Sequence, residues 1–156
     1  MAKEIERKFL VKGDFKSKAF LEIPIVQGYL SAVPERTVRV RIKGEKGFLT
    51  IKGKANDSGL TRFEWEQEIP FGEARELLQL CEPELIDKSR FLVKSGRHTF
   101  EVDEFHGANK GLVLAEIELA CEDEPFEKPS WLGEEVTGCV QYYNAMLAKN
   151  PFSLWK

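Results

Sequence analysis

The protein has 156 residues, with 23 Lys and Arg against 26 Asp and Glu, so its formal net charge is −3 at neutral pH. Hydrophobic residues make up 42% of the chain and charged residues 31%, which is typical of soluble globular proteins but at the charged end of their range. No apolar run is long enough for a membrane span, and no apolar export segment follows Met1. These features predict a single cytoplasmic domain over residues 1–156 and argue against nucleic acid or a membrane as partner.

The cysteines and histidines do not form a recognisable catalytic or metal-binding pattern. Cys81, Cys121 and Cys139 have neither zinc-site spacing nor the density of a disulfide framework. His98 and His106 are not accompanied by a Cys or Ser that suggests a nucleophile. Mechanisms built on a histidine base are therefore disfavoured.

Apolar and polar residues alternate with period two along most of the chain, which predicts strands. Short links at 44–47 and 95–96 predict antiparallel hairpins. The eight predicted strands are Lys3–Lys12, Pro24–Ala32, Thr37–Gly44, Gly47–Ala55, Thr61–Pro70, Glu84–Lys94, Arg97–Phe105 and Gly111–Ala120.

Three segments are predicted to be helical. Asp14–Leu21 and Glu73–Cys81 are short and amphipathic. Thr137 is expected to cap a helix that runs to about Lys149 and ends before Pro151. This third helix is long enough to cover one end of a barrel. The acidic stretch from Glu122 to Pro129 is predicted to be a loop.

Charged residues occupy one face of nearly every predicted strand, because residues two apart in a strand point to the same side. They are also sorted by sign, although like charges repel when they share a face. The acidic pairs are Glu4/Glu6, Glu64/Glu66, Glu101/Asp103 and Glu116/Glu118, and the basic pairs are Arg39/Arg41, Lys52/Lys54 and Lys88/Arg90.

Two structures are compatible with this alternation. The first is an ordinary sheet whose charged face meets water. The second is a sheet that closes with its charged face inward, which is costly unless the charges pair or bind ions. Clustered carboxylates suit Mg²⁺ or Mn²⁺, and clustered Arg and Lys suit phosphate oxygens. A polyphosphate that carries metal satisfies both.

The opening run Glu4-Ile5-Glu6-Arg7-Lys8-Phe9 matches the E-x-E-x-K motif of the CYTH superfamily, the triphosphate tunnel metalloenzymes, and the resemblance covers nearly the whole chain. A lone E-x-E-x-K motif is weak evidence, but the ordered set of similar runs is specific. The other runs are Gln27-Gly28-Tyr29-Leu30, Val38-Arg39-Val40-Arg41, Leu49-Thr50-Ile51-Lys52, Arg62-Phe63-Glu64-Trp65-Glu66, Asp87-Lys88-Ser89-Arg90, Phe100-Glu101-Val102-Asp103 and Ala115-Glu116-Ile117-Glu118.

The resemblance implies an α+β fold: a closed antiparallel eight-stranded β-barrel, the triphosphate tunnel, with a few flanking helices. It implies Mg²⁺ or Mn²⁺ as cofactor, and roles in catalysis for Lys88, Glu4 and Glu6. The implied metal ligands are Glu4, Glu6, Asp103, Glu116 and Glu118. The implied phosphate-binding residues are Lys8, Arg39, Arg41, Lys52, Arg62, Lys88 and Arg90, with support from Glu64, Glu66, Glu101 and Tyr29.

The expected activity is hydrolysis of inorganic tripolyphosphate to pyrophosphate and phosphate. Few aromatic residues are free to stack on an organic base, because Trp65 alternates outward while Trp131 and Trp155 lie in the tail. The alternatives are a class IV-type adenylate cyclase, a nucleoside or thiamine triphosphatase, and a non-enzymatic polyphosphate or nucleotide binding module. The expected partner is a small-molecule triphosphate, and a homodimer is possible.

Overall fold

Nine antiparallel strands form one continuous sheet in the computed structural model, which describes residues 3–155. The strands are β1 Lys3–Val11, β2 Ala19–Ser31, β3 Arg36–Lys43, β4 Lys46–Gly53, β5 Thr61–Ile69, β6 Ile86–Ser95, β7 His98–Phe105, β8 Val113–Glu118 and β9 Leu132–Glu135. The helices are α1 Phe71–Leu78 and α2 Asn144–Lys149, with single 3₁₀ turns at Lys16–Lys18, Gly107–Asn109, Val140–Tyr142 and Phe152–Leu154.

Strand β1 closes the sheet into a barrel. The strand order is β5-β4-β3-β2-β6-β7-β8-β1, and β1 also pairs with β5. The first part of β1 pairs with β5 around Glu4 and Arg62, and the later part pairs with β8 from Glu6 to Leu10. The expected closed eight-stranded barrel is therefore confirmed, and its closure leaves few free strand edges.

Hairpin turns set the register of the barrel. Lys43 pairs with Lys46 across a two-residue turn, and Ser95 pairs with His98 across another. The first residue of each turn is a glycine with positive φ, 63° at Gly44 and 60° at Gly96. This conformation suits the tight turns that match strand twist, and glycine adopts it without a Cβ clash.

The apolar outer face of the barrel is covered by the segments between strands. Trp131 is only 2% exposed and packs edge-on against Phe100, with ring centroids 5.3 Å apart. Phe9 and Phe100 also meet Phe126, which follows β8. The predicted loop at 122–129 is confirmed as a segment without helix or strand, and Trp131 belongs to the core.

The helix predicted at Asp14–Leu21 is wrong. Only Lys16–Lys18 form a 3₁₀ turn, and β2 begins at Ala19, whose backbone partner is Val93 of β6. Strand pairing with β6 thus overrides the weak local helix preference. The helix predicted at Glu73–Cys81 is present, shifted to Phe71–Leu78.

The long helix predicted from Thr137 to Lys149 is also wrong in its first half. Gly138 has φ 77°, a 3₁₀ turn follows at Val140–Tyr142, and Tyr143 is extended. Only Asn144–Lys149 is α-helical, and it ends before Pro151 as expected. No helix within residues 3–155 is long and apolar enough to cross a membrane.

Contacts with β1 replace the predicted helix cap. Instead of capping a helix, Thr137 Oγ1 accepts a hydrogen bond from the backbone N–H of Lys8 at 3.0 Å and donates one to Glu135 at 2.6 Å. Strand β9, which was not predicted, ends two residues before Thr137. It pairs with Phe9 and Val11 of β1, beyond the residues of β1 that pair with β5. These bonds hold the C-terminal segment across one side of the barrel.

Candidate active site

The charged strand faces line a cavity of about 580 Å³ inside the barrel. The closed, charge-lined alternative is therefore confirmed, and the exposed-sheet alternative is not. All of the predicted site residues except Asp103 lie on its wall. They are Glu4, Glu6, Lys8, Tyr29, Arg39, Arg41, Lys52, Arg62, Glu64, Glu66, Lys88, Arg90, Glu101, Glu116 and Glu118.

Glu4 links the acidic part of the wall to two cations. Lys52 Nζ lies 3.1 Å from Glu4 and 3.3 Å from Glu64, and Arg62 Nε lies 3.5 Å from Glu4. Burial opposes ionisation of Glu4, but the charges of Lys52 and Arg62 outweigh it and lower its pKa. Glu4 is thus an ionised carboxylate at neutral pH.

The pKa values of Glu6 and Glu116 shift in opposite directions. Burial and the neighbouring Glu116 charge raise the pKa of Glu6 well above its ordinary value. Burial opposes ionisation of Glu116 as well, yet the charge of Lys8 and a hydrogen bond from Glu6 lower its pKa. Two neighbouring carboxylates repel each other when both are ionised, so a cation bound beside them would be stabilising.

The acidic wall has the chemistry of a hard-cation site. Glu6, Glu116 and Glu118 form no salt bridge within residues 3–155, whereas Glu4 and Glu64 do. Carboxylates without a cationic partner on a cavity wall favour a hard divalent cation. No three acidic, His or Cys side chains of the described chain converge as a complete metal-binding group. Water and phosphate oxygens would therefore complete the coordination, as is usual for Mg²⁺.

Asp103 lies behind the wall rather than on it. Arg90 forms a bidentate contact with it, in which Nε donates to Oδ1 at 2.8 Å and Nη2 donates to Oδ2 at 3.0 Å. Lys88 Nζ lies 2.8 Å from Oδ2. Burial raises the pKa of Asp103, but Arg90 and Lys88 outweigh it and lower the pKa to about 2. This geometry suits a carboxylate that positions two cations better than it suits the expected metal ligand.

Lys88 is a buried amine with a lowered pKa. Asp103 pairs with both Lys88 and Arg90, Arg90 also pairs with Glu101, and burial lowers the pKa of Lys88 to about 8. The Lys88 side chain is only 1% exposed. A buried amine near its own pKa at neutral pH is suited to proton transfer.

A second group of cations crowds the wall on β3. Burial, together with the charges of Arg39 and Arg90, lowers the pKa of Arg41 to about 10. Burial and the Arg41 charge also lower the pKa of Lys43. Glu66 lies 3.4 Å from Arg41 and 3.5 Å from Arg39, while the buried Nε atoms of both arginines have no partner within the described chain. These close positive charges repel one another, so the cluster favours binding of a polyanion.

Several wall residues were not among the predicted site residues. Lys43 and Lys54 also line the cavity, and their period-two spacing from Arg41 and Lys52 is the signal that identifies them. The C-terminal segment adds Tyr143, whose ring lies 5.3 Å from Lys8 Nζ and 5.6 Å from the Arg62 guanidinium. Nothing in the local sequence around Tyr143 indicates that it faces this cavity.

Tyr29 is buried, lines the cavity and packs against Ala32 and Ala145. Its hydroxyl accepts a hydrogen bond from Gln27 at 3.3 Å, and burial raises the pKa of Tyr29.

The two histidines lie outside the cavity: His106 contacts Ser89 and His98 contacts Glu124. Neither is on the cavity wall.

Comparison with known proteins places this barrel in a family. The profile of the CYTH domain family matches residues 2–143. The chain is 47% identical over 157 aligned positions to an inorganic triphosphatase of Acetivibrio thermocellus, covering 100% of this chain and 99% of the relative. It is 36% identical to an inorganic triphosphatase of Nitrosomonas europaea, covering 93% and 96%. A crystal structure of an inorganic triphosphatase superimposes with a TM-score of 0.66 at 34% identity, covering 92% and 96%. The chain belongs to the CYTH domain family.

Proposed function

We propose that the protein is a divalent-metal-dependent triphosphatase that hydrolyses inorganic tripolyphosphate to pyrophosphate and phosphate inside its barrel. The proposal depends on one observation: carboxylates and cations with no salt-bridge partner within residues 3–155, such as Glu6, Glu116 and Lys8, face the same cavity inside the barrel. Burying charges of both signs is costly unless a ligand neutralises them. A triphosphate with its metal is the ligand class that does so, and both relatives above bear the name inorganic triphosphatase.

The metal would be held by the acidic wall. Glu6, Glu116 and Glu118 are the best candidates because they form no salt bridge within residues 3–155, and Glu4 adjoins them. Bound Mg²⁺ or Mn²⁺ neutralises charge on the phosphoryl oxygens and lowers the pKa of a bound water. In this proposal Asp103 acts through Lys88 and Arg90.

The basic residues would hold the phosphate chain. Arginine guanidinium groups bind phosphate oxygens with two parallel N–H donors, and lysine binds as a point charge. Glu64, Glu66 and Glu101 support these cations by pairing with them. The proposed phosphate-binding residues are Lys8, Arg39, Arg41, Lys52, Arg62, Lys88 and Arg90.

Phosphoryl transfer then requires in-line positioning and little covalent assistance. The oxygen of water forms a bond to the terminal phosphorus and its proton is released to solvent, while the anhydride P–O bond breaks with its electron pair remaining on pyrophosphate. Glu4, as an ionised carboxylate, can orient the attacking water. Lys88 can donate a proton to the leaving pyrophosphate, since its pKa is about 8.

Inorganic tripolyphosphate is favoured over nucleotides because both aromatic rings on the wall already have close neighbours. Tyr29 packs against Ala32 and Ala145. Lys8 and Arg62 both lie over the Tyr143 ring, where they compete with stacking of a base. Cyclisation of ATP also requires the ribose to be held in line with the α-phosphate. We therefore expect tripolyphosphate to be cleaved much faster than ATP, and pyrophosphate barely at all.

The experiment is a substrate panel of tripolyphosphate, pyrophosphate, ATP and thiamine triphosphate with Mg²⁺, Mn²⁺ or EDTA. Phosphate release from tripolyphosphate with either metal, abolished by EDTA, is the expected result. The ATP reaction should yield ADP without cyclic AMP by chromatography. Cyclic AMP as the main product would establish the cyclase alternative, and binding of tripolyphosphate without cleavage would establish the binding-module alternative.

A further inference from the structure

A chain of hydrogen bonds connects Lys88 to the C-terminal segment. Lys88 Nζ donates to Asn144 Oδ1 at 2.9 Å, and Gln27 Nε2 donates to the same oxygen at 3.1 Å. Gln27 Nε2 also donates to the Tyr29 hydroxyl at 3.3 Å. Asn144 is the first residue of α2 and lies on the cavity wall.

The direction of every bond in this chain follows from Lys88. An ammonium group has only donors, so the atom of Asn144 that faces it must be the amide oxygen. That oxygen then requires a donor from Gln27, because the reversed Gln27 amide would place two oxygens 3.1 Å apart. Gln27 Oε1 is left buried without a partner within the described chain. The Gln27 amide is therefore held in this orientation by Asn144 and Tyr29.

The same geometry determines which atom Asn144 presents to the cavity. Its Oδ1 is occupied by two donors, so the remaining polar atom of the amide is Nδ2, which is a donor. The cavity wall around it carries both Lys88 and Tyr29. A neutral N–H donor beside a buried cation complements a phosphate oxygen and adds no further positive charge to a crowded site.

We propose that Asn144 is a substrate-contacting residue whose Nδ2 donates a hydrogen bond to a phosphoryl oxygen of the triphosphate, and that Gln27 is a positioning residue that holds the Asn144 amide in this orientation. This inference rests on the proposed function. It assigns the C-terminal segment a part in the site, because Asn144 is contributed by α2 while Lys88 and Gln27 are contributed by the barrel.

The test is binding of tripolyphosphate in EDTA, measured by calorimetry in about 0.1 M salt, which avoids any contribution from metal. A hydrogen bond to a charged group is worth roughly a factor of 10 to 100 in affinity, so Asn144→Leu should weaken binding by about that factor. Asn144→Asp keeps the oxygen that accepts from Lys88 but presents an anion to the phosphate. It should weaken binding at least as much while retaining the fold.

Two controls separate this role from a general effect of charge or packing. Asn150→Asp adds the same charge at the exposed end of α2, away from the cavity, and should leave binding within about twofold because exposed charges are screened. Gln27→Met should weaken binding less than Asn144→Leu, because Lys88 still orients the amide. In the Asn144→Leu background, Gln27→Met should cause no further loss, since it acts through Asn144.

The outcomes distinguish the two proposals. If the wild-type protein binds tripolyphosphate and Asn144→Asp binds it as tightly as Asn150→Asp does, the inference fails and the proposed function stands. An additional loss from Gln27→Met in the Asn144→Leu background would overturn the positioning role of Gln27. If the wild-type protein neither binds nor cleaves tripolyphosphate, the proposed function itself fails.

Discussion

The Lys88 ammonium lies 2.8 Å from the Asp103 carboxylate, and both side chains are 1% exposed. Arg90 grips the same carboxylate from its other side. One buried anion therefore supports two cations of the cavity wall. Removing it would leave Lys88 without a salt-bridge partner within residues 3–155 and Arg90 with Glu101 alone, which is far more costly than breaking an exposed ion pair.

Asp103→Asn should lower the free energy of unfolding by about 3 kcal/mol, the usual cost of breaking a buried pair. Urea unfolding in EDTA measures it. Glu104→Gln is the matched control on the same strand, because the ion pair of Glu104 with Lys16 is partly exposed and should be worth under about 1 kcal/mol. Unchanged stability in Asp103→Asn, with weakened metal binding alone, would return Asp103 to the metal ligands.

Glu6 should make the metal-free protein less stable as pH rises. Its folded pKa is raised well above the ordinary 4.5 by burial and by Glu116. The folded state therefore holds a proton that the unfolded chain releases, and this stabilisation is complete below pH 4.5 and is lost as pH rises through the folded pKa. The opposite contribution of Glu116, whose pKa is lowered, operates below pH 4.5.

Glu6→Gln imitates the protonated acid and should remove that pH dependence. Melting temperatures in EDTA from pH 5 to 8 should fall more steeply in the wild-type protein than in the variant, in which Glu64 and Glu118, whose pKa values are also raised by burial, still titrate. The variant should also lose metal-dependent activity by orders of magnitude. Glu68→Gln is the control, because Glu68 is exposed and does not line the cavity. If the melting temperature of Glu6→Gln falls with pH as steeply as that of the wild-type protein, Glu6 is not the titrating group.

Tripolyphosphate should raise the melting temperature even without metal. Burial and the charges of neighbouring arginines lower the pKa values of Arg41 and Lys43, and at 100 times its Kd a ligand stabilises by about 2.7 kcal/mol. Arg41→Gln should stabilise the ligand-free protein and reduce the shift caused by tripolyphosphate. Arg36→Gln, an exposed change on the same strand, should alter neither. No shift at saturating tripolyphosphate would mean that the cations do not bind it.

Gly47 should be intolerant of any side chain, because a Cβ there would lie 2.6 Å from the Cβ of Ala74 in α1. Gly47→Ala should lower the free energy of unfolding by about 1–3 kcal/mol through overpacking. Gly72→Ala, within α1 and with nothing within 4 Å of its Cβ, should instead raise it by about 0.5–1 kcal/mol. Thermal unfolding compares the two, and equal effects would contradict this account of how α1 packs.

Alternation alone predicted the strands and which residues share a strand face, whereas the closed barrel was predicted from the resemblance to the CYTH superfamily. Successive side chains of a strand point to opposite faces wherever the strand lies, so the residues that face inward can be read locally. Turn chemistry also sets the register between β6 and β7. Because Gly96 and Arg97 form a two-residue turn, Arg90 and Asp103 lie directly opposite each other. The eight strands and nearly all of the wall residues were therefore accessible from the sequence.

The tertiary structure decided what holds the C-terminal segment and which charges are shared. Residues 137–143 have ordinary local helix preference, yet hydrogen bonds from Lys8 to Thr137 and to the Tyr142 carbonyl hold them in another form. Asp103 became a partner of Lys88 through proximity across strands, which no single strand reveals. Such contacts join residues far apart in the chain, and their free energy exceeds the small local propensities on which sequence patterns depend.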